Sequence, residues 1–228
     1  MNVRIFDTAD DLIRAAADTI LQRASAADAV SIGLSGGNTP KPLYKLLGIS
    51  PQRETLAKTR VTWVVVDERC VPITDPQSNA GMIEQTLFAN GMSRSHQFLR
   101  YRTEFDDPAR SAVEFERVWR DLSLNQLDVI ILGFGEDGHT ASLFPGTPVV
   151  NINDRVAHEV FVPRLNSWRV TLTMPIIRAA KLRIVLAAGV SKRDIIRQVR
   201  EGADYPIVRA TAGDIESWWF ADRAAVGQ

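Results

Sequence analysis

The hydrophobic pattern opens with a short apolar run at residues 3–6. Thr8 then stands where a helix N-cap belongs, and Leu12, Ile13, Ala16 and Ile20 recur at helical spacing on one face. Residues 29–34 read as a second strand, ended by Ser35-Gly36-Gly37. Residues 40–47 read as a helix stopped by Gly48. A third strand, rich in β-branched residues, is predicted at 61–66, followed by a polar loop at 67–77 and a helix over about 79–88. Residues 109–122 carry an amphipathic helical pattern. Residues 127–132 are wholly apolar, as a strand in the middle of a parallel sheet must be. Further strands are predicted at 156–162, 170–173 and 182–187, then a helix over 191–200. Residues 218–220 are expected to form a final edge strand.

Strands alternating with helices predict an α/β fold with a doubly wound, mostly parallel sheet flanked by helices. No internal repeat, low-complexity stretch or Pro/Gly/Ser-rich linker divides the chain, so residues 1–228 are expected to form one domain.

Composition narrows the partners. Lys and Arg total 27, as do Asp and Glu, so the chain as a whole has no pull toward nucleic acid or an anionic membrane surface. Any anion site must be local, and a small molecule is the expected partner. Cys70 is the single cysteine, which rules out an intramolecular disulfide and a cysteine-rich zinc site. The N-terminus lacks the apolar core of a secretory signal, and no apolar run approaches a membrane span. A cytoplasmic location is the expectation.

Candidate chemistry collects in three loops, each following an apolar strand. The strand at 127–132 runs into Gly133, Gly135 and Gly138, which match G-x-G-x-x-G. A dinucleotide fingerprint needs a helix directly after its glycines, and Pro145-Gly146 leave too little room for one. The same turn carries Glu136, Asp137 and His139. Histidine is the natural general base near neutral pH, and Asp137 stands close enough to orient it. His96 and His158 lack such company and read as structural or surface residues. The second loop, Ser35-Gly36-Gly37-Asn38-Thr39-Pro40, offers backbone N–H groups and hydroxyls to an anion at a helix start. Thr39 serves equally as an N-cap, with Pro40 at the first helical position. In the third, Asp67-Glu68-Arg69, Arg69 suits a phosphate or carboxylate, and Asp67 suits a hydroxyl or a histidine. Lys192 opens a helix and Arg169 opens a strand; either can complete an anion site or simply be solvated. Cys70 could also pair with His139 as a nucleophile, although nothing marks its thiol as activated.

Taken in order, SGGNTP at 35–40, DERCVP at 67–72, SNAGM at 78–82, GFGEDGHTASLFPG at 133–146, RVTLTMP at 169–175 and the segment 189–192 resemble the 6-phosphogluconolactonases. These belong with the glucosamine-6-phosphate isomerase/deaminase group. Asn38 stands where many members have serine. The resemblance implies a NagB-like, Rossmann-type three-layer fold and hydrolysis of 6-phospho-D-glucono-1,5-lactone to 6-phosphogluconate in the oxidative pentose phosphate pathway. It implies no metal or organic cofactor. It implies His139 as the base and Asp137 as its support, with Ser35, Gly36, Gly37, Asn38, Thr39, Asp67, Arg69, Arg169 and Lys192 as sugar and phosphate contacts. Amino-sugar phosphate deamination is the nearest rival. In that branch Asp137-Gly138 would lead toward an Asn-Glu-Pro segment instead of HTASLFPG. A sugar-phosphate sensor is a further rival, but it would need a DNA-binding module. A monomer and a small homo-oligomer both fit, because Trp218, Trp219 and Phe220 suit either a core or an interface.

Overall fold

The structure, a computed structural model, describes residues 2–228. Ten strands form in chain order: β1 (Asn2–Phe6), β2 (Ala29–Leu34), β3 (Arg60–Val65), β4 (Asp67–Arg69), β5 (His96–Leu99), β6 (Val129–Leu132), β7 (Ala157–Val162), β8 (Ser167–Leu172), β9 (Leu182–Ala187) and β10 (Glu216–Asp222). Seven of them build one sheet in the order β1-β10-β9-β6-β2-β3-β5, and every pairing in it is parallel. Helices connect the strands, so both faces are covered. That accounts for strands such as Val129–Leu132 and Leu182–Ala187 being buried at every position. The expected doubly wound α/β sheet is present.

Helix Ala9–Ser25 shows how local sequence makes these elements. Thr8 Oγ1 accepts from Asp11 N at 3.1 Å, Asp10 and Asp11 lie in the positive first turn, and Leu12, Ile13, Ala16 and Ile20 are buried against the sheet. Arg183 is the exception within the apolar β9. It is buried without a carboxylate, and its guanidinium donates to the carbonyls of Arg178, Ala210 and Ile215 at 3.0, 3.3 and 2.6 Å. A cation thereby satisfies carbonyl groups that close the helices at 174–179 and 206–211.

Two expectations need correction, and a third, the structural reading of His96, is borne out. The strand at residues 218–220 is not an edge. It extends to Glu216–Asp222 and lies between β1 and β9, with Trp219 and Phe220 in the core. The edge belongs to the N-terminal β1, whose pairing partner lies at the other end of the chain. Residues 67–69 are not loop. They leave the main sheet as β4 and pair antiparallel with β8, which pairs in turn with β7 in a separate three-stranded sheet. Three charged residues carry no strand signal of their own; the ladder partner at 169–171 supplies it. His96 sits in strand β5, where its ring accepts from Trp63 Nε1 at 3.2 Å through Nδ1 and faces Leu56 O at 3.0 Å through Nε2.

Candidate active site

β2 and β6 are neighbours in the sheet, yet the chain continues from β2 to β3 on one side, and β9 flanks β6 on the other. The crevice above their carboxyl ends is therefore a topological switch point, where open α/β sheets bind ligands. Residues 35–40 leave β2 and residues 133–139 leave β6, so two glycine-rich loops face each other there. A cleft of about 180 Å³ opens between them, lined by Ser35 to Pro40, Asp67, Arg69, Asn79, Gly133 to Gly135, His139, Ala141, Arg169 and Lys192.

His139 is held on two sides. Its Nδ1 lies 2.5 Å from Asp137 Oδ1, and its ring stacks on Phe144 with centroids 4.1 Å apart. An ionised aspartate only accepts, so Nδ1 carries the proton and Nε2 is the nitrogen left to work on a ligand. Burial lowers the proton affinity of the imidazole more than Asp137 and Asp67 raise it, so the ring rests below the ordinary histidine value. Burial pushes the Asp137 carboxyl up. The His139 bond and the Arg164 charge outweigh it and leave that carboxyl below its usual value.

The loop backbone explains the glycines. Gly135 N donates to His139 O and Gly138 N to Gly135 O, both at 3.0 Å, which folds the turn onto itself. A Cβ on Gly135 would come within 2.2 Å of the His139 ring. Gly138 has φ +74°, and a Cβ there would meet the Tyr205 ring at 2.3 Å. Gly138 O accepts from Ile207 N at 3.1 Å, so the segment at 205–207 clamps the loop from behind. No helix follows these glycines, as expected from Pro145-Gly146.

The cationic side of the cleft comes from the antiparallel ladder. Arg69 and Arg169 are directly paired across β4 and β8. Facing like charges destabilise a strand pair unless something neutralises them. Each guanidinium keeps a buried Nε without a hydrogen-bond partner, and Arg69 also donates to Gln77 O at 2.5 Å. Lys192 lies in a short 3-10 turn before helix Arg193–Arg200, and its Nζ donates to Phe134 O at 2.5 Å. Burial lowers the proton affinity of Lys192, a cost that an anion bound beside it would relieve.

Other predicted residues take narrower roles. Ser35 Oγ donates to Ile131 O at 2.8 Å, so its hydroxyl proton is spent on the sheet rather than offered to a ligand. Gly36, Gly37, Asn38 and Thr39 line the cleft. Thr39 does not cap the following helix, whose N-cap position is Pro40. Asp67 holds a hydroxyl, not the histidine: its Oδ2 accepts from Ser142 Oγ at 2.7 Å. His158 turns its Nδ1 to Glu159 O at 2.6 Å, and neither it nor His96 reaches the cleft. Sequence reasoning missed Asn79 and Arg164. Asn79 Nδ2 donates to Asp67 O at 2.7 Å and lines the cleft; its signal was present in SNAGM. Arg164 pairs with Asp137 Oδ2 at 2.6 Å and had no signal, since it comes from a hairpin remote in sequence.

Cys70 is half-buried outside the cleft, and burial together with the Glu68 charge pushes its thiol up to about 11. A thiol that holds its proton so firmly is a poor nucleophile. Cys70→Ser is expected to retain full activity in a steady-state assay.

Fold and cleft together define a parallel α/β protein with a histidine–carboxylate pair facing a cationic wall at its switch point. The chain belongs to the family of glucosamine-6-phosphate isomerases/6-phosphogluconolactonases, whose model matches residues 7–219. It is 34% identical to a 6-phosphogluconolactonase of Haemophilus influenzae, over 99% of both chains. A 6-phosphogluconolactonase structure from Leishmania guyanensis superposes with a TM-score of 0.84 at 26% identity, covering 98% of this chain and 97% of that one. A monomeric glucosamine-6-phosphate deaminase superposes equally well, also at 0.84, over 100% of this chain and 99% of that one. At 22% identity that match shows the fold alone. No helix among the described residues is long and apolar enough to cross a membrane, and they contain no cluster of three or more His, Cys, Asp or Glu side chains fit to hold a metal ion.

Proposed function

We propose that this protein hydrolyses 6-phospho-D-glucono-1,5-lactone to 6-phospho-D-gluconate, with His139 as the base and Asp137 as its support. One observation carries the reading: the paired Arg69 and Arg169 guanidiniums face the same cleft as the His139 ring, so one site offers a dianion grip and a neutral base. A phosphorylated ester is the kind of molecule that uses both. The relatives bearing the lactonase name support the choice of ester over amine.

A δ-lactone is an activated ester. Nε2 of His139 takes a proton from water as the water oxygen bonds to C1, giving a tetrahedral oxyanion. Collapse breaks the bond from C1 to the ring oxygen, and the imidazolium returns its proton to that oxygen. Asp137 stabilises the imidazolium that exists between those two transfers without itself taking the proton. Arg69, Arg169, Lys192 and the loop at 36–39 hold the phosphate and sugar hydroxyls.

Lys192→Ala and Arg169→Ala are each expected to raise KM more than they lower kcat, because a phosphate remote from C1 is bound alike in ground and transition states. An unchanged KM would remove that residue from the site. The function itself is tested on freshly generated lactone, with product coupled to 6-phosphogluconate dehydrogenase and spontaneous hydrolysis subtracted. Protein-dependent acceleration is the expected result. Folded protein that gives none, yet releases ammonia from glucosamine 6-phosphate, would establish the deaminase reading instead.

A further inference from the structure

Asp137 does not line the cleft that His139 lines. It lines a second groove behind it, together with Phe144, Pro163, Arg164 and Tyr205. Arg164 reaches it from the turn Pro163–Leu165, which joins β7 to β8 and ends at Asn166 in the left-handed conformation, φ 44°. One carboxylate oxygen, Oδ1, meets His139 Nδ1; the other, Oδ2, meets the Arg164 guanidinium at 2.6 Å. We propose that Arg164 is a positioning residue: from the rear groove it pins the Asp137 carboxylate in the orientation that binds His139 Nδ1.

The geometry gives it that work. A carboxylate bonded through one oxygen can still rotate about its side-chain torsion, whereas bonds at both oxygens leave one orientation. Arg164 is itself steadied, its guanidinium lying 5.1 Å from the centre of the Phe144 ring that also stacks on His139. Arg169, from strand β8 of the same hairpin, lies 5.5 Å from that ring. One hairpin thus serves both sides of the site, the phosphate wall through Arg169 and the base through Arg164.

Charge follows the same line. Asp137 and Asp67 draw a proton toward His139, and Arg164 opposes them. Arg69, Arg169 and Lys192 line the same cleft as the imidazole, and Glu136 acts on Lys192. Removing Arg164 leaves the Asp137 charge uncompensated, so His139 should hold its proton to higher pH. The base is then protonated, and inactive, over a wider acidic range. Arg164 is more than half exposed, so the pair adds little to stability. Its contributions are to the orientation of Asp137 and to the charge balance around His139.

The test compares Arg164→Met with Arg164→Lys, which keeps the charge. The imidazole C–H resonances are titrated by NMR in the substrate-free protein, and kcat and KM are measured against pH. Arg164→Met should lose about tenfold in kcat with KM little changed. The His139 midpoint and the acid limb of kcat/KM should both move to higher pH. Arg164→Lys should restore both positions. A residue with only a structural role would lower the rate without moving either titration; an unchanged kcat, or a His139 midpoint that does not move to higher pH, in Arg164→Met overturns the proposal. The kinetic arm rests on the lactonase reading and the NMR arm does not. A moved midpoint in a protein that fails to hydrolyse lactone would keep Arg164 and discard that reading.

Discussion

Replacing His139 with alanine is expected to lower kcat for lactone hydrolysis by about 10²–10⁴-fold, the usual worth of a positioned general base. The fold should survive. His139 is partly exposed, its loop is held by backbone bonds through Gly135 and Gly138, and the clamp from Ile207 N falls on Gly138 O. KM should change little, because the proposed phosphate contacts lie on other elements. The pH profile of the unaltered enzyme gives an independent check. Burial holds the imidazole below the ordinary histidine value, so the base stays neutral and competent down to a more acidic pH than a free imidazole would. Activity should fall only as pH drops through that lowered value, and this acid limb should vanish in His139→Ala. Near-normal turnover in the folded variant would remove His139 from the mechanism.

Glu68→Ala should be among the most damaging single changes to stability, costing about 3–5 kcal/mol, since each buried donor left unsatisfied costs about 1–3 kcal/mol. Glu68 is 1% exposed. Its Oε1 accepts from Arg69 N at 2.8 Å and Asn79 N at 2.7 Å; its Oε2 accepts from Ala80 N at 2.7 Å and Ser78 Oγ at 3.0 Å. Burial raises the proton affinity of the carboxyl despite those four donors. Alanine would orphan three backbone N–H groups in a dry site and open a cavity. The bonds tie the start of helix Asn79–Thr86 to β4, so Asp67, Arg69 and Asn79 would lose their common support. Urea unfolding should show the loss directly, and a change below 1 kcal/mol would show that water replaces the carboxylate. Activity in the surviving folded fraction should fall through KM, since Arg69 is the adjacent residue.

The same residue marks where sequence reading stops. Asp67-Glu68-Arg69 reads as a charged loop, and Glu68 has no role in that reading because all but one of its donors lie ten or more positions away. Arg69 and Arg169 are each ambiguous alone. Their direct pairing is a matter of strand register, and it brings together two guanidiniums whose buried Nε atoms have no hydrogen-bond partner. His139 with Asp137 was legible because the two residues stand two positions apart in a glycine-rich turn. Asn79 was legible only as part of a motif. Ser35 lines the cleft, but its hydroxyl is taken by Ile131 O, on a strand whose adjacency to β2 the chain order conceals.

By itself the sequence determined the α/β alternation, the Thr8-capped start of the first helix, the glycine turns at the ends of β2 and β6, and the histidine–carboxylate pair. Each of these is governed by contacts within about one turn or one pleat, the range over which side-chain periodicity, capping and turn chemistry act. The tertiary structure alone decided that β10 is interior and β1 the edge, that residues 67–69 become a strand, that Arg69 faces Arg169, and that Arg164 braces Asp137 from a second groove. Those outcomes depend on which strands become neighbours and in what register. That choice is made by burying the whole apolar surface at once, so no local segment carries it.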